Sequence, residues 1–218
     1  QNEKLQEDHR NQLKAFYSVL KTQDRYIKFA FLTGVTKFGK ISVFSDLNNL
    51  MDLSMDHRYV NKCGTTEEEL KSYFKEGISE LASANGDSER ETIDKLRMRY
   101  GGYHFEKNSE GIYNPFSVLN TLAKHRYKNY WFETGTPTFL IELLKEHGYR
   151  LPDLNKEQVS AFVMSGMDSA PTNLTPFIYQ TGYLTIKGYD ERFKKYQLGF
   201  PNKEVEEGFL NLLLPLYN

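Results

Sequence analysis

The segment 26–33, reading Tyr-Ile-Lys-Phe-Ala-Phe-Leu-Thr, constrains the chain more than any other. It is almost continuously apolar and ends at Gly34. A strand with one wet face alternates apolar and polar residues, whereas one without alternation must be covered on both faces, as inside a parallel sheet. Such a strand needs neighbours. The other β-rich runs are 40–44, short pieces at 103–105 and 111–113, and one late hairpin, and none of these can flank it. The expectation is that the missing strands precede Gln1. A chain that opens on Gln and stops inside an amphipathic helix reads as cut from something longer.

Around that strand the pattern is helical. Leu13, Phe16, Tyr17 and Leu20 fall at helical spacing and predict a helix over 3–21. Thr66-x-x-Glu69 and Ser88-x-x-Glu91 have capping-box spacing, in which side chain and backbone satisfy each other's free donors. The first box predicts one helix burying Leu70, Tyr73, Phe74, Ile78 and Leu81, with a left-handed exit at Asn85-Gly86; the second predicts a helix ending at Gly101-Gly102. Asn114-Pro115 and Thr136-Pro137 place a capping side chain before a helix-starting proline, predicting helices over 115–124 and 137–147. Val159, Phe162 and Val163 suggest a further helix before the loop 165–171. The end reads as a short helix over 176–180, a hairpin of 183–187 and 196–200, and a last helix with Val205, Phe209, Leu212, Leu213 and Leu216 on one face. Helix, hairpin and helix in that order make a winged-helix-like unit.

Little chemistry is legible locally. Gly34-Val35-Thr36-Lys37-Phe38-Gly39-Lys40 has the glycine and lysine spacing of a phosphate loop, but Ile41 stands where a hydroxyl should ligate magnesium. The run 41–44 also favours extended chain over the helix such a loop must open. Basic and acidic residues nearly cancel, at 28 against 29, so nucleic acid could be held only by a local patch. One cysteine, Cys63, cannot form an internal disulfide and suits a reducing compartment. No run approaches a membrane span, and the expected location is the cytoplasm. The sole Glu-x-Lys, Glu69-Leu70-Lys71, sits inside a capped helix rather than on a nuclease strand.

Several longer motifs carry a resemblance. Phe31-Leu32-Thr33-Gly34-Val35-Thr36-Lys37-Phe38, Phe44-Ser45-Asp46-Leu47-Asn48-Asn49-Leu50, Tyr100-Gly101-Gly102-Tyr103-His104-Phe105, Tyr113-Asn114-Pro115-Phe116, 129–137 and 180–186 resemble, in order, the bacterial AAA-ATPase-like family, whose members often carry a PD-(D/E)XK nuclease-like domain afterwards. The resemblance implies the part of a P-loop ATPase that follows its magnesium-holding strand. The expected architecture is an α/β remnant of that core over 1–62, a helical lid over 63–125 and the winged-helix-like subdomain over 126–218, α+β overall and helix-rich. ATP and magnesium would be held largely by residues of the longer protein. The partners would be the ATPase half preceding this chain and a nuclease-like domain following it.

By the same resemblance Thr33, Thr36 and Lys37 fall where the core senses the γ-phosphate. A hydroxyl or ammonium donating to phosphate is sound chemistry, although a threonine bonding its own turn and a solvated lysine are the plainer readings. Gly101, Gly102 and His104 fall where the related proteins pack a loop on adenine; a helix end followed by core packing would use the same residues, and His104 replaces the more usual proline. On the hairpin, Lys187, Arg192, Lys194 and Lys195 cluster with Tyr183, Tyr189 and Phe193 and could contact a nucleic-acid backbone, diluted by Asp190 and Glu191. The charge pattern favours a nucleotide-gated switch over nucleic-acid binding, and a degenerate interaction module is the third reading. Without cradle or metal ligand, the chain alone is expected not to hydrolyse ATP.

Overall fold

The computed structural model describes residues 3–34, 50–135, 142, 144, 158–165 and 174–213. It is helix-rich with one small antiparallel sheet, an α+β arrangement. The expected helix 137–147 (Glu142 and Leu144 apart), the run 40–44, the loop 166–171, and the candidates Thr36 and Lys37 lie outside the described residues. No described helix is long and apolar enough to cross a membrane.

Helix α1 (Glu3–Thr22) forms as its periodicity predicts, but Leu13 (38%) and Phe16 (69%) of its apolar stripe are exposed, while Tyr17 and Leu20 are half-buried. The predicted strand does not form. After a single 3-10 turn at Asp24–Tyr26, residues 27–34 run without regular structure, and Phe29 (81%) and Phe31 (59%) lie open to solvent. The physical reason is the one the sequence raised: an unalternating strand is held by partners on both edges and both faces, and the described residues supply none.

From Thr66 onward the chain packs. The capping box of Thr66 and Glu69 opens α2 (Glu67–Tyr73). The expected single helix is broken at Phe74 into α2 and α3 (Lys75–Asn85), and Tyr73, placed in the core by periodicity, is 76% exposed because the break rotates the two faces apart. Gly86 supplies the left-handed exit at φ 70°. Helix α4 (Glu89–Tyr100) opens on the Ser88 and Glu91 box, and α5 (Pro115–Lys124) on Asn114, whose side chain accepts from the Phe116 and Ser117 amides. Leu70, Ile78, Leu81, Leu96, Tyr100, Tyr113, Val118 and Leu122 close this helical core. Glu67 staples it from outside. Its carboxylate takes Lys71 Nζ at 2.6 Å, Arg97 Nε at 2.8 Å and the Tyr113 hydroxyl at 3.0 Å, joining α2 to α4 and to the chain before α5.

The second core gathers around the sheet. Helix α6 (Tyr130–Gly135) is followed by β1 (Gln158–Ser160), α7 (Ala161–Ser165), α8 (Thr175–Gln180), β2 (Thr185–Asp190), β3 (Lys195–Gly199) and α9 (Lys203–Leu213). Sheet order is β1-β3-β2, antiparallel throughout, with an irregularity between Ile186 and Gly188. Val159 was expected in a helix; it lies in β1 opposite Tyr196, because β3 offers a free edge that a three-residue segment with a buried Val can pair. The helix, hairpin and helix order at the end is present. Tyr103 and Ile112, paired with each other by a bridge, pack into this second core together with Ile178, Tyr183, Leu198, Val205 and Phe209. The two cores therefore meet along the segment 101–114.

Candidate functional site

The segment 101–104, which contains the candidate adenine-side residues, forms the seam between the two cores. Gly101 is buried and its carbonyl accepts from Asn202 Nδ2 at 2.9 Å. The other end of the same amide caps α9, since Asn202 Oδ1 accepts from the Val205 amide at 3.2 Å. Gly102 adopts φ 80°, a left-handed conformation that glycine enters freely. A Cβ at this position would fall on the Pro201 carbonyl oxygen. His104 is locked on both backbone sides: Thr185 Oγ1 accepts from its amide at 2.6 Å and donates to its carbonyl at 2.9 Å, while its Nδ1 lies 2.8 Å from the Ser109 carbonyl. The structure brings Gly101, Gly102 and His104 together, against the hairpin and α9.

A buried carboxyl lies beside this loop. Glu204, on the first turn of α9, is wholly buried; its Oε1 accepts from the Trp131 amide at 2.9 Å, at the start of α6. The same amide reaches Ser117 Oγ of α5 at 3.2 Å, so one carboxyl draws α5, α6 and α9 to a point. Burial raises the Glu204 pKa, against the opposing effect of Ser117 and the α6 amides. Tyr103, fully enclosed and near Glu204, Asn114 and Asn202, has its phenol pushed well above the usual range, first by burial. Sequence reasoning missed Glu204. The only signal was its place in the first turn after Pro201-Asn202, where one of the glutamates can turn inward.

Packing is close across the same seam. Gly208 of α9 lies so near the Phe132 ring that a Cβ there would overlap it. Trp131, the chain's single tryptophan, stacks tilted on Tyr183 at 5.2 Å, and Tyr183 continues to Phe209 at 5.5 Å.

On the hairpin the candidate cations separate into two groups. Lys187 Nζ donates to the Pro201 carbonyl at 3.2 Å, and desolvation of that end lowers its pKa. It belongs to the seam. Arg192, Lys194 and Lys195 are exposed at the turn, next to Phe193, which is 60% exposed. The acidic neighbours that dilute this patch in the sequence are engaged: Asp190 Oδ1 accepts from the Arg192 and Phe193 amides, and Glu191 pairs with Lys107 at 2.5 Å. Thr33 is exposed within the unstructured stretch after α1, apart from both cores. Nothing among the described residues gathers it with the 101–104 loop.

The chain resembles known proteins over two different lengths. Over 211 residues, 95% of this chain, it is 37% identical to an "Uncharacterized protein in vnfD 5'region" of Azotobacter chroococcum mcd 1, and it spans 38% of that relative's length. No solved structure matches it. Residues 1–44 match the AAA-ATPase-like family, described as predicted AAA-ATPase, which supports a relation to that family through the segment carrying α1, the bare apolar stretch and Thr33.

Proposed function

We propose that this chain is the regulatory portion of an AAA-ATPase-like protein: residues 1–62 complete a nucleotide-binding α/β core supplied by a longer polypeptide, and the two packed cores behind them move as one body when that nucleotide site changes state. The observation that carries this reading is the contrast within one chain. Residues 27–34, inside the segment matched to predicted AAA-ATPases, present Phe29 and Phe31 to solvent. The described residues from 65 to 213, by contrast, close two cores that are joined through buried polar groups. An apolar stretch without sheet partners beside finished cores has the form of an insertion strand awaiting its sheet.

ATP and magnesium belong to the longer protein on this reading. No three His, Cys, Asp or Glu side chains gather among the described residues. Thr33, at the end of the apolar run, is the described residue that a docked strand would carry toward a γ-phosphate, with Thr36 and Lys37 just beyond it. The 101–104 loop, fixed to α9 and the hairpin, would carry the nucleotide state into the winged-helix-like part. The test is paired. The 218-residue chain shows no magnesium-dependent ATP hydrolysis above background, and in the longer gene product Thr33→Ala lowers turnover at unchanged fold; turnover by the chain alone, or a Thr33→Ala protein as active as its parent, contradicts the reading.

A second reading has one observation in its favour. With Asp190 and Glu191 engaged, Arg192, Lys194 and Lys195 project from the hairpin turn with no carboxylate partner among the described residues. A duplex titration at low salt decides it: binding with a steep salt slope that Lys194→Ala and Lys195→Ala flatten favours nucleic acid, and no binding favours the switch.

A further inference from the structure

A cavity of about 410 Å³ lies between α5 and α6. Phe116, Asn120 and Lys124 form one stripe of α5 along its wall; Arg126 and Lys128, from the turn that follows, close its end. Tyr130 is its floor and Glu133 its single carboxylate.

The turn that carries the cations is held rigidly. His125 takes a left-handed conformation at φ 48°, unusual for a non-glycine residue, and its carbonyl accepts from Asn85 Nδ2 at 3.2 Å. The Arg126 amide donates to the Thr121 carbonyl at 3.3 Å, and its own carbonyl accepts from the Tyr130 hydroxyl at 3.0 Å. The buried Tyr100 hydroxyl donates to the Lys128 carbonyl at 2.9 Å and accepts from the Lys128 amide at 3.1 Å. Lys124 is oriented by Asn120 Oδ1 at 2.8 Å and lies over the Tyr130 ring at 4.6 Å.

Three exposed cations thus line one space, Lys124 oriented by Asn120 and Arg126 and Lys128 carried on a held backbone, and among the described residues no carboxylate pairs with any of them. Elsewhere in the two cores Lys71, Lys95, Arg97 and Lys107 each meet a carboxylate within 3 Å. Fixing like charges together without a counter-charge works against stability, and it is the arrangement that a bound anion reverses. Arg126 brings a planar fork suited to phosphate oxygens, and the lysines bring point charges. Phe116, 45% exposed on the rim, offers a face for a flat ring.

The neutral polar groups of the pocket are already engaged. Asn120 Nδ2 donates to the Phe116 carbonyl at 2.9 Å, Thr134 Oγ1 donates to the Trp131 carbonyl at 3.0 Å, and the Tyr130 hydroxyl is bound to Arg126. We propose that this pocket binds the phosphate of a nucleotide, through Lys124, Arg126 and Lys128 with the base against Phe116. The site is separate from the proposed ATPase core and does not rest on that reading. Its chemistry is shared by a free nucleotide and by one unit of a single strand.

The test uses the 218-residue chain at low salt with three probes: ADP, inorganic pyrophosphate and a short labelled oligothymidylate. All three bind, through the phosphate group they share. The oligothymidylate affinity falls with salt at a log–log slope of about −0.7, as one neutralised phosphate on a single strand implies. K124A/R126A/K128A weakens every probe by about tenfold or more, and Phe116→Ala weakens ADP and the oligonucleotide while leaving pyrophosphate unchanged. Glu133→Gln, which removes the opposing charge, tightens all three, an outcome that misfolding cannot imitate. Tighter binding of the oligonucleotide than of ADP assigns the site to a strand, and the reverse order assigns it to a free nucleotide. Absence of binding by all probes, an unchanged triple variant, or a Glu133→Gln variant no tighter than the parent overturns the proposal.

Discussion

Replacing Asn202 probes the join between the two cores, because its one amide serves both. In Asn202→Ala the Val205 amide loses its cap, which costs about 1 kcal/mol at a helix start, and the buried Gly101 carbonyl loses its donor, which costs a further 1–3 kcal/mol, roughly. The sum is about 2–4 kcal/mol. For a urea dependence of about 2 kcal/mol per molar, the midpoint falls by roughly 1–2 M. Asn202→Asp separates the two parts. The carboxylate still accepts from Val205, but it cannot donate to Gly101 and lies near the buried Glu204, so at neutral pH the loss is no smaller than for alanine. That disfavoured carboxylate has a raised folded pKa. Its penalty is therefore present above that value and is relieved as pH falls through it toward the unfolded value, where a protonated Asp can donate again. Unfolding is followed by fluorescence of Trp131, at the seam, and by far-ultraviolet circular dichroism, which reports both cores. A joined structure gives coincident transitions. Separate transitions in the parent chain, an Asn202→Ala midpoint within about 0.3 M of the parent, or an Asn202→Asp protein as stable as the parent at neutral pH would refute the reasoning.

Two further substitutions test the packing and the electrostatics. Gly208→Ala, which in an open helix would gain about 0.5–1 kcal/mol, should instead cost about 1–3 kcal/mol in the same denaturation assay, because the added methyl overlaps the Phe132 ring; a gain would show that α9 can shift away from α6. Burial raises the Glu67 carboxyl, but hydrogen bonds from Lys71, Arg97 and Tyr113 outweigh it and hold the pKa down to about 2. A depressed carboxyl stabilises above its unfolded value and loses that contribution as pH falls toward about 2. Discounted for solvent screening, the contribution is about 1–2 kcal/mol, so Glu67→Gln should be less stable than the parent by that amount near pH 6, roughly, with the two converging in strong acid. A difference that persists unchanged at the acid end would assign Glu67's role to shape rather than charge.

The local signals in the sequence were reliable where they rested on a donor needing an acceptor. Both capping boxes, the Asn114-Pro115 start and the Gly86 exit were legible because each is settled within a few residues. Periodicity failed where tertiary contact decides. Tyr73 has the spacing of a core residue, yet the break at Phe74 turns it outward, and Val159 reads as helical but pairs with β3, which lies more than thirty residues away in sequence. The hairpin and its flanking helices were readable; the use of Glu204 and Asn202 as internal ties was not, since an acidic first turn looks the same whether it meets water or a neighbouring helix. The basic pocket escaped notice because its cations come from a turn whose direction depends on the left-handed His125, which spacing does not reveal.

The apolar run remains the point on which the functional account stands. Hydrogen exchange read by mass spectrometry on the amides of 28–34 tests it directly, because no backbone partner holds them among the described residues. In the 218-residue chain these amides should exchange as fast as an unfolded peptide while those of α4 and α5 stay protected, and in the longer gene product they should become as slow as the cores. Protection of 28–34 in the chain alone, or rapid exchange there in the longer protein, would contradict a strand that waits for its sheet.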